Sequence, residues 1–391
     1  METTDLRLPD YWEDVRPDVR FNPVGSAIQQ GMMDFVNAES RLAGHVLVAT
    51  SGSSGEPKWI ALSKRALLAS ASSVNAHLSA AQNDRWLCAL PPFHVGGIGV
   101  FARAFAEGIP ALTFDGRWRG RAEEFATLCE TERITLTSLT PTQVHDLVTE
   151  QIHCPASLRA VIVGGGRLDK VTGQAARDLG WPVLASYGMT EASSQIATET
   201  LDALANPFVG DWLPVLEGWE VSEKSGIRGP ALFSGTVAES KNGGWQFNPA
   251  SVDEEGWFQT ADRVQLRQGR NQRPELCFLG RSDDLVKRLG ELVSMNGLRE
   301  RLATATRRHD LSGTVIALPD ARSGARFVAV FERIGRDDQR AQESVNACNV
   351  AGAPFERIDE IRFVPNLPRT ELGKIAYSLL SKQLRYSEDR G

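Results

Sequence analysis

Short apolar runs separated by amphipathic segments fill the first half of the chain. Runs such as HVLVA (residues 45–49), WLCALP (86–91), ITLTSLT (134–140), AVIVGGG (160–166) and PVLASYG (182–188) are typical of buried strands. Behind the first run, SKRALLASASSVNAHL has Ser63 as a candidate N-cap and apolar residues at helical spacing, namely Leu67, Ala71, Val74 and Leu78. We therefore expect the strand at 45–49 to lead through a loop into a helix.

The later runs follow the same order of strand, loop and helix. They lead into HVGGIG, into PTQVHDLV, into the segment after GGG, and into MTEASSQ. Strands that alternate with helices predict an α/β fold with an open, mainly parallel sheet flanked by helices. Ligands of such sheets bind at the loops that follow the carboxyl ends of the strands.

The pattern changes near residue 206. The segments WEVSEKSGIRGPALFSGTV, GWQF, GWFQT and DRVQLRQG indicate short strands, and they predict a small β subdomain over about 206–280. From GRSDDLVKRLG (280–290) onwards, a helical GLRERLATATRRH and the strands TVIALP and RFVAVFE predict a small α+β domain. We expect an N-terminal domain over 1–281 and a C-terminal domain over 282–391.

Composition narrows the functional classes. The 391 residues carry a net charge of −6, which argues against a broad electrostatic grip on nucleic acid. Five dispersed cysteines without a CxxC pair indicate a reducing compartment and argue against a disulfide framework or a thiolate zinc site. The acidic start is not a secretory signal, and no apolar run reaches about 18 residues. We expect a soluble cytoplasmic protein with no membrane partner.

The stretch TSGSSGEPK (50–58) crowds hydroxyls, glycines and a lysine behind the first strand. It is either a solvated turn or a phosphate cradle built from backbone N–H groups, hydroxyls and Lys58. It is not a Walker loop, because Pro57 and Trp59 flank Lys58. Nor does the triplet ending at Gly166 complete a dinucleotide fingerprint, since Arg167, Leu168 and Asp169 follow it and the third glycine is missing.

Five motifs together resemble the adenylate-forming, or acyl-CoA synthetase, superfamily: TSGSSGEPK, SYGMTE (186–191), WFQTADRV (257–264), GRSDDLVKRLGE (280–291) and PRTELGK (368–374). Within it, PPFHVGGIGVFARAF (91–105), SLTPTQVHDLV (138–148) and LRAVIVGGGRLDK with LASYGMTEASSQIAT are similar to the 2-succinylbenzoate:CoA ligases of menaquinone and phylloquinone synthesis. The resemblance implies an enzyme that uses ATP and Mg²⁺ to turn a small carboxylic acid, o-succinylbenzoate, into an acyl-adenylate, and then transfers the acyl group to coenzyme A.

The resemblance also implies a nucleotide site assembled from separate loops. The first motif would hold the β- and γ-phosphates through Thr50, Ser51, Gly52, Ser53, Ser54, Gly55 and Lys58. The adenosine side would comprise Gly164, Gly165, Gly166, Ser186, Tyr187, Gly188 and Met189, with Tyr187 stacked on adenine. Thr190 would bind phosphate, Glu191 would reach Mg²⁺, Asp262 would accept the ribose hydroxyls and Arg281 would add a ribose or phosphate contact.

Two catalytic elements would lie in the C-terminal domain. Lys374 would bridge the carboxylate and the α-phosphate as a point charge, although lysines near a terminus are otherwise usually just solvated. The domain would be mobile and turn about Asp283 between the half-reactions, exchanging Lys374 for a loop that faces CoA. That loop carries Lys287, Gly290 and Glu291.

The acid would bind near PPFHVGG. His94 would be the catalytic gate between the ATP and acyl sites, beside Gly96 and Gly97, although a satisfied core histidine is the alternative. Arg103 would bind the second carboxylate of a dicarboxylate, with a surface salt bridge as the alternative. Thr142 and Gln143 are weaker candidates for the same pocket.

Several positions depart from the superfamily pattern. Ala261 replaces a usual Gly, Arg167 a usual Pro, and Trp59 places a large ring behind Lys58. MNGLRER (295–301) is an unusual form of the segment behind the hinge, so the sequence does not identify the residues of the CoA channel. The chain begins about 50 residues before the first motif, so a shortened acyl pocket or a homodimer is expected.

Three other functions stay open at this point. The acid could be another aryl or fatty acid, in which case Arg103 would have no second carboxylate to bind. The chain could be a catalytically silent nucleotide-binding homologue. The acceptor could be a carrier-protein thiol, but no fused carrier domain is encoded, which favours free CoA.

Overall fold

The computed structural model describes residues 5–22, 29–51, 57–240, 243–269, 272–309, 311–320, 322–332, 338–370 and 373–388. The chain divides into two compact units. The first holds the residues up to Thr260 together with Val264–Phe278, and the second holds Ala261–Arg263 together with the residues from Leu279 onwards. The boundary between 281 and 282 stays a prediction, while the second unit as observed already begins at Leu279.

The first motif lies in a β-hairpin rather than between a strand and a helix. The chain starts with α1 (Pro9–Glu13), β1 (Asp18–Arg20), α2 (Gln29–Ala38), β2 (His45–Ser51), β3 (Pro57–Ser63) and α3 (Lys64–Leu78). β3 was not predicted from the sequence; it pairs antiparallel with β2 and places Lys58 opposite Thr50. Its residues Trp59–Leu62 are all buried, so the strand lacks the alternation that identifies a half-exposed one.

The predicted cap and apolar face of α3 are confirmed. The Ser63 hydroxyl accepts a hydrogen bond from the backbone N–H of Ala66 at 3.0 Å. The four residues at helical spacing, Leu67, Ala71, Val74 and Leu78, are all buried.

A six-stranded sheet forms the centre of the first unit, as the strand and helix pattern predicts. Its elements in chain order are β4 (Trp86–Cys88), α4 (Val95–Glu107), β5 (Ala111–Thr113), α5 (Ala122–Thr131), β6 (Leu136–Leu139), α6 (Pro141–Thr149), β7 (Ala160–Val163), α7 (Lys170–Asp178), β8 (Val183–Met189) and β9 (Ser194–Thr198). The strand order is β5-β4-β6-β7-β8-β9, and all neighbours are parallel except β8 and β9.

Only a short 3₁₀ turn, Thr190–Ala192, separates β8 from β9. The expected helix over MTEASSQ is therefore wrong, and the chain returns antiparallel along β8. Tyr187 pairs with Ala197 and Gly188 with Gln195, so the register shifts between them as at a β-bulge.

The handedness of the crossover connections determines the face of the sheet on which each helix lies and the place where a ligand crevice is expected. From β4 the chain moves to β5 on one side and then returns past β4 to β6. Right-handed connections place α4 on one face of the sheet and α5 to α7 on the other, in agreement with the packing of α3 on α4, α5 on α6 and α6 on α7. The strand order reverses between β4 and β6, where the carboxyl ends of open sheets bind ligands.

The strands of residues 206–280 do not form one separate subdomain. They are β10 (Leu213–Pro214), β11 (Glu220–Val221), β12 (Gly226–Arg228), β13 (Gly235–Glu239), β14 (Trp245–Pro249), β15 (Phe258–Gln259), β16 (Asp262–Gln268) and β17 (Pro274–Arg281). β13 pairs with β3 and extends the sheet to the order β1-β2-β3-β13-β14, whereas the others form the sheets β10-β17-β16 and β11-β12-β15. Pairing with a strand almost two hundred residues earlier is not visible in a local pattern.

The second unit is the predicted small α+β module. It contains β18 (Leu285–Arg288), β19 (Glu291–Ser294), α8 (Met295–Thr306), β20 (Gly313–Asp320), β21 (Gly324–Glu332), α9 (Asp338–Val350), β22 (Glu360–Val364) and α10 (Tyr377–Glu388). Alternate residues of β21 face two cores: Phe327, Ala329 and Phe331 pack with α8 and α9, while Val328 and Val330 pack with α10. None of the described helices is both long and apolar enough to cross a bilayer.

Candidate active site

The base of the hairpin between β2 and β3 carries the described part of the first motif. The Thr50 hydroxyl donates a hydrogen bond to the carbonyl of Lys58 at 3.3 Å, and Lys58 itself is exposed. Gly52, Ser53, Ser54, Gly55 and the Ser51 side chain lie outside the described residues. The loop therefore joins two paired strands whose last pair is Ser51 and Pro57, and Thr50 and Lys58 form the pair next to it.

The glycine triplet lies next to SYGMTE, as β7 and β8 are neighbours. Gly164 donates its backbone N–H to Leu139 at 3.0 Å, and a Cβ at Gly164 would lie 3.0 Å from the Ser186 hydroxyl. That hydroxyl donates to the Val163 carbonyl at 2.9 Å. Gly165, with φ +78°, and Gly166 are exposed, so their backbone is accessible to a flat base.

Tyr187 is held by an aromatic neighbour that the motif did not reveal. Its ring stacks on that of Phe278, with centroids 5.6 Å apart and planes 29° apart. Thr190 and Glu191, in the 3₁₀ turn after Met189, are partly buried, and the Glu191 carbonyl accepts a hydrogen bond from Phe233 N–H at 2.8 Å. The Glu191 carboxylate suits Mg²⁺, which binds through one or two carboxylates together with substrate phosphates.

Gly188 is required by a close backbone crossing. A Cβ there would lie 1.7 Å from the carbonyl oxygen of Ser194, which no shift of a side chain can relieve. Ser193 and Ser194 both have positive φ, 50° and 119°, conformations that cost a non-glycine residue energy. The strained pair thus marks the point where β9 turns back against the SYGMTE motif.

The loop before α4 is equally constrained. A Cβ at Gly97 would lie 2.4 Å from the Pro91 carbonyl, so only glycine fits, and one at Gly96 would lie 3.1 Å from Leu90. His94 precedes α4, is partly buried, and its ring contacts that of Phe93 at 4.7 Å between centroids. Gly97 therefore fixes the path that carries His94 to the carboxyl end of β4.

Arg103 is a buried cation without a carboxylate partner in the part of the chain that the structure describes. The residue is 2% exposed, which removes the surface salt bridge as an explanation. Its Nη1 donates to Ser138 Oγ at 3.1 Å and its Nη2 to Ser194 Oγ at 3.4 Å, while Nε is buried and unpaired. Burial lowers the pKa of the guanidinium to about 10, and no carboxylate among the described residues offsets this desolvation.

Gln143 has a structural role that the sequence analysis did not predict. Its Oε1 accepts from Thr140 N–H at 2.8 Å and its Nε2 donates to the Ala89 carbonyl at 3.0 Å. The amide thus caps α6 and ties the end of β6 to the end of β4. Thr142, one residue earlier, is partly buried, and its contact with an acid stays a prediction.

In the second unit, Asp262 and Arg281 lie close together, 3.6 Å apart, and Asp262 is 8% exposed. Ser282 joins the same turn, because its N–H and hydroxyl both donate to the Ala261 carbonyl, at 2.7 and 2.9 Å. Ala261 itself does not have a positive φ, so this backbone accepts a Cβ where the superfamily usually has Gly.

The proposed hinge and CoA-facing loop are short local structures. Asp283 lies in the 3₁₀ turn Ser282–Asp284, and its side chain lies outside the described residues. Lys287 is on β18 and Glu291 begins β19, both exposed. Leu289 and Gly290 between these strands have φ of 52° and 89°, the pattern of a type I′ turn.

Lys374 lies in a tight loop. Its carbonyl accepts from Thr370 N–H at 2.7 Å, and Ala376 N–H donates to the Pro368 carbonyl at 2.7 Å. Arg369 closes the loop further by donating to the Gly373 carbonyl at 3.0 Å. The residue is exposed, yet partial desolvation lowers the pKa of its ammonium.

Ser138, Ser194 and Phe278 contact the candidate site residues Arg103 and Tyr187, and they were not predicted from the sequence. The two serines lie within the segments SLTPTQ and EASSQ, but only the fold brings them to Arg103. A buried cation needs hydrogen-bond acceptors, so a search for hydroxyls near the carboxyl ends of the strands would have found them.

Comparison with known proteins agrees with these observations. Residues 43–221 match the family described as AMP-binding enzyme. The 2-succinylbenzoate–CoA ligase of Bacillus pumilus is 26% identical over 344 residues, which are 84% of this chain and 67% of the relative. The ligase of the same name from Enterococcus faecalis is 25% identical, with 84% of this chain and 67% of the relative covered.

Two solved structures show the same fold. The o-succinylbenzoate CoA synthetase of Bacillus subtilis, in complex with its acyl-adenylate intermediate, superposes with a TM-score of 0.69 at 24% identity, covering 86% of this chain and 68% of that one. ATP-bound MatB from Rhodopseudomonas palustris also gives 0.69, at 21% identity, with 87% and 68% covered. Because two differently named enzymes fit equally well, the fold alone does not select the acid.

Proposed function

We propose that this chain is an ATP-dependent acid:CoA ligase that activates o-succinylbenzoate, on the basis of the match of residues 43–221 to the AMP-binding enzyme family. In the first step a carboxylate oxygen attacks the α-phosphorus of ATP, the bond to the bridging oxygen breaks, and pyrophosphate leaves. In the second step the thiolate of CoA attacks the acyl carbon, the bond to the phosphate oxygen breaks, and AMP leaves. The names of the curated relatives support this choice of acid.

The nucleotide would lie along the carboxyl ends of β7 and β8. Exposed glycine backbone at Gly165 and Gly166 leaves room for adenine, and Tyr187 would stack on it. Thr50, Lys58 and Thr190 would bind phosphate oxygens, and Asp262 and Arg281 the ribose. Mg²⁺, held by Glu191 and the phosphates, would neutralise charge on the pyrophosphate.

Lys374 would neutralise the two converging anions, the carboxylate and the α-phosphate. His94, at the start of α4, would separate the acid from the nucleotide. Lys287, Gly290 and Glu291 would face CoA after a rotation about Asp283.

The observation that carries the choice of a dicarboxylate is Arg103. A buried cation is costly unless it is paired, and the described residues around Arg103 provide two hydroxyls and no carboxylate. The second, unreacting carboxylate of the substrate would supply the missing negative charge and accept from the free Nε. A monocarboxylic acid would leave the cation unpaired, so the pocket favours dicarboxylates.

Pyrophosphate release across a panel of carboxylic acids, with and without CoA, tests the proposal. We expect release with o-succinylbenzoate, and weaker release with an analogue that has hydrogen in place of the second carboxylate. ATP binding without acid-dependent release would indicate a silent nucleotide-binding protein. Thioester formation on a carrier protein but not on CoA would change the acceptor.

We propose a cytoplasmic location and leave a homodimer as a testable part of the same proposal. All five cysteines are free, which suits a reducing compartment. Cell fractionation tests the location, and sedimentation of the purified chain tests the assembly.

A further inference from the structure

The unusual segment MNGLRER, residues 295–301, begins α8. The Ser294 hydroxyl caps this helix by accepting from Gly297 N–H at 3.2 Å. Met295 and Leu298 are buried in the core of the second unit. The apolar residues of the segment therefore serve packing, and its polar residues are left to contact other segments.

Arg299 in this segment joins three parts of the second unit. Its Nη1 donates to Asp284 Oδ1 at 2.8 Å, and its Nε donates to the Val315 carbonyl on β20 at 3.1 Å. Its guanidinium lies 3.8 Å from the centroid of the Tyr377 ring, at the start of α10. Arg299 and Asp284 keep only 20% and 19% of their side-chain surface exposed, so solvent weakens the ion pair less than at an open surface.

Two of the residues that Arg299 contacts lie close in the chain to the proposed hinge and to the proposed catalytic lysine. Asp284 directly follows the hinge residue Asp283, and its Oδ2 also accepts from Asn296 N–H at 2.5 Å. Tyr377 follows Lys374 by three residues and lies just beyond the loop closed by Ala376 and Pro368. We name Asp284, Arg299 and Tyr377 the hinge clamp, since they tie the turn after the hinge to the segment that presents the lysine.

We propose that Arg299 is a positioning residue that makes the hinge turn and the Lys374 loop move as one body. This inference rests on the proposed two-step function. When the second unit rotates about Asp283, the hinge clamp makes the Lys374 loop rotate by the same angle as the hinge turn. A cation held over a ring and bonded to a carboxylate resists both sliding and tilting, which a single backbone contact does not.

The clamp should act on adenylation and not on thioester formation. Lys374 is needed only for the first step. The loop that would face CoA has its own attachment, because Leu289 N–H donates to the Ser323 carbonyl at 2.9 Å independently of Arg299. Removing the clamp should therefore change the ratio of the two half-reactions.

The test measures both half-reactions in Arg299→Met, which keeps the length of the side chain and removes its charge and stacking. Adenylation is followed by acid-dependent pyrophosphate release, and transfer by thioester formation from supplied acyl-AMP. A small displacement of a catalytic group costs up to about a hundredfold, so we expect kcat for adenylation to fall by about ten- to a hundredfold. Transfer should stay within about twofold.

Matched variants separate positioning from folding. Arg301→Met is the control, because Arg301 lies on the same helix and pairs with Glu356 at 2.9 Å, away from the hinge. Tyr377→Leu should reproduce Arg299→Met, whereas Tyr377→Phe keeps the ring and should restore adenylation. If Arg299→Met does not fold, the comparison of the two Tyr377 variants still decides.

Equal loss of both half-reactions, or the same loss in Arg301→Met, would overturn the clamp while the proposed function stands. Absence of pyrophosphate release from the unmodified chain with every acid would instead refute the proposed function. The double variant Arg299→Met with Tyr377→Leu should lose no more than Arg299→Met alone, because Arg299→Met already removes the contact with the Tyr377 ring.

Discussion

Replacing Arg103 by methionine should stabilise the protein and impair its use of a dicarboxylate. Burial lowers the pKa of Arg103 to about 10 from its ordinary value above 12, which corresponds to a cost of about 3 kcal/mol at neutral pH. This penalty is fully present below the lowered pKa and is relieved as pH rises through it, because the unfolded chain holds the proton more tightly. The two hydrogen bonds to Ser138 and Ser194 return about 1 kcal/mol each.

The net change in the free energy of unfolding is therefore a gain of about 1 kcal/mol, from about 3 kcal/mol recovered and about 2 lost. The catalytic effect has the opposite sign. Removing one member of a buried charge pair costs about 2–5 kcal/mol in binding, so kcat/KM for o-succinylbenzoate should fall roughly a hundredfold. The analogue without the second carboxylate should be used as well by the variant as by the unmodified chain.

A second buried arginine provides the control. Arg177 is 3.3 Å from Glu199, and both side chains are less than a tenth exposed. Arg177→Met would leave the Glu199 carboxylate buried without its cation, and should destabilise the chain by about 3–5 kcal/mol. Urea denaturation compares the two variants. The reasoning about Arg103 fails if Arg103→Met is destabilised like Arg177→Met, or if both acids lose activity equally.

Three further outcomes follow from the same geometry. In Lys374→Ala, the rate of adenylation should fall by about 10²–10³-fold, while transfer from supplied acyl-AMP should be kept. Because the active ammonium has a lowered pKa, the adenylation rate should also fall at a lower pH than it would with an ordinary lysine. The pH profiles of the native chain and of Lys374→Arg check this. Gly188→Ala should prevent stable folding, because its Cβ would clash with the backbone of Ser194. Gly166→Ala should fold normally and raise KM for ATP, because its Cβ would lie 3.6 Å from Pro141. Thermal melts and kinetics distinguish the two variants. Leu289→Asn should raise the free energy of unfolding by about 0.5–1 kcal/mol, because asparagine adopts the positive φ of a type I′ turn more readily, and a decrease in the urea midpoint would contradict this.

Local patterns predicted the elements whose stability is local. The Ser63 cap and the apolar face of α3 are properties of about four consecutive turns, and both are confirmed. The parallel strands β4, β6 and β7 are short runs of fully buried residues, and they and β8 were located correctly. Such elements need no knowledge of their partners.

Elements defined by distant partners were not predicted. β3 is a strand because β2 and β13 hydrogen-bond to its two edges, and β13 lies almost two hundred residues later. β9 returns along β8 because Gly188 permits the approach of Ser194, a fact about space that composition does not encode. In both cases tertiary pairing decided the structure of a segment whose local preference was ambiguous.

The candidate site shows the same division. The motifs alone predicted one nucleotide site that contains Asp262, Arg281, the glycine triplet and Ser186. The structure places Asp262 near Arg281 and the triplet near Ser186. It did not reveal that the Gln143 amide holds the ends of β4 and β6, nor that Arg103 lacks an acid among the described residues. The choice of a dicarboxylate thus depends on the buried charge of Arg103, whose lack of a carboxylate partner among the described residues only the folded chain can show.

One backbone crossing connects the two halves of the proposed site in the first unit. Gly188 belongs to the SYGMTE motif at the nucleotide, and the carbonyl that excludes a side chain there belongs to Ser194. The hydroxyl of the same Ser194 accepts from Arg103, the proposed anchor of the acid. The φ of Ser194 is 119°, a conformation that costs a non-glycine residue energy, so the backbone at this crossing is strained. An in-line attack of a carboxylate on a phosphorus demands that acid and nucleotide keep a fixed relative position. In the proposed function, the crossing would contribute to that constraint from within the first unit, independently of Lys374.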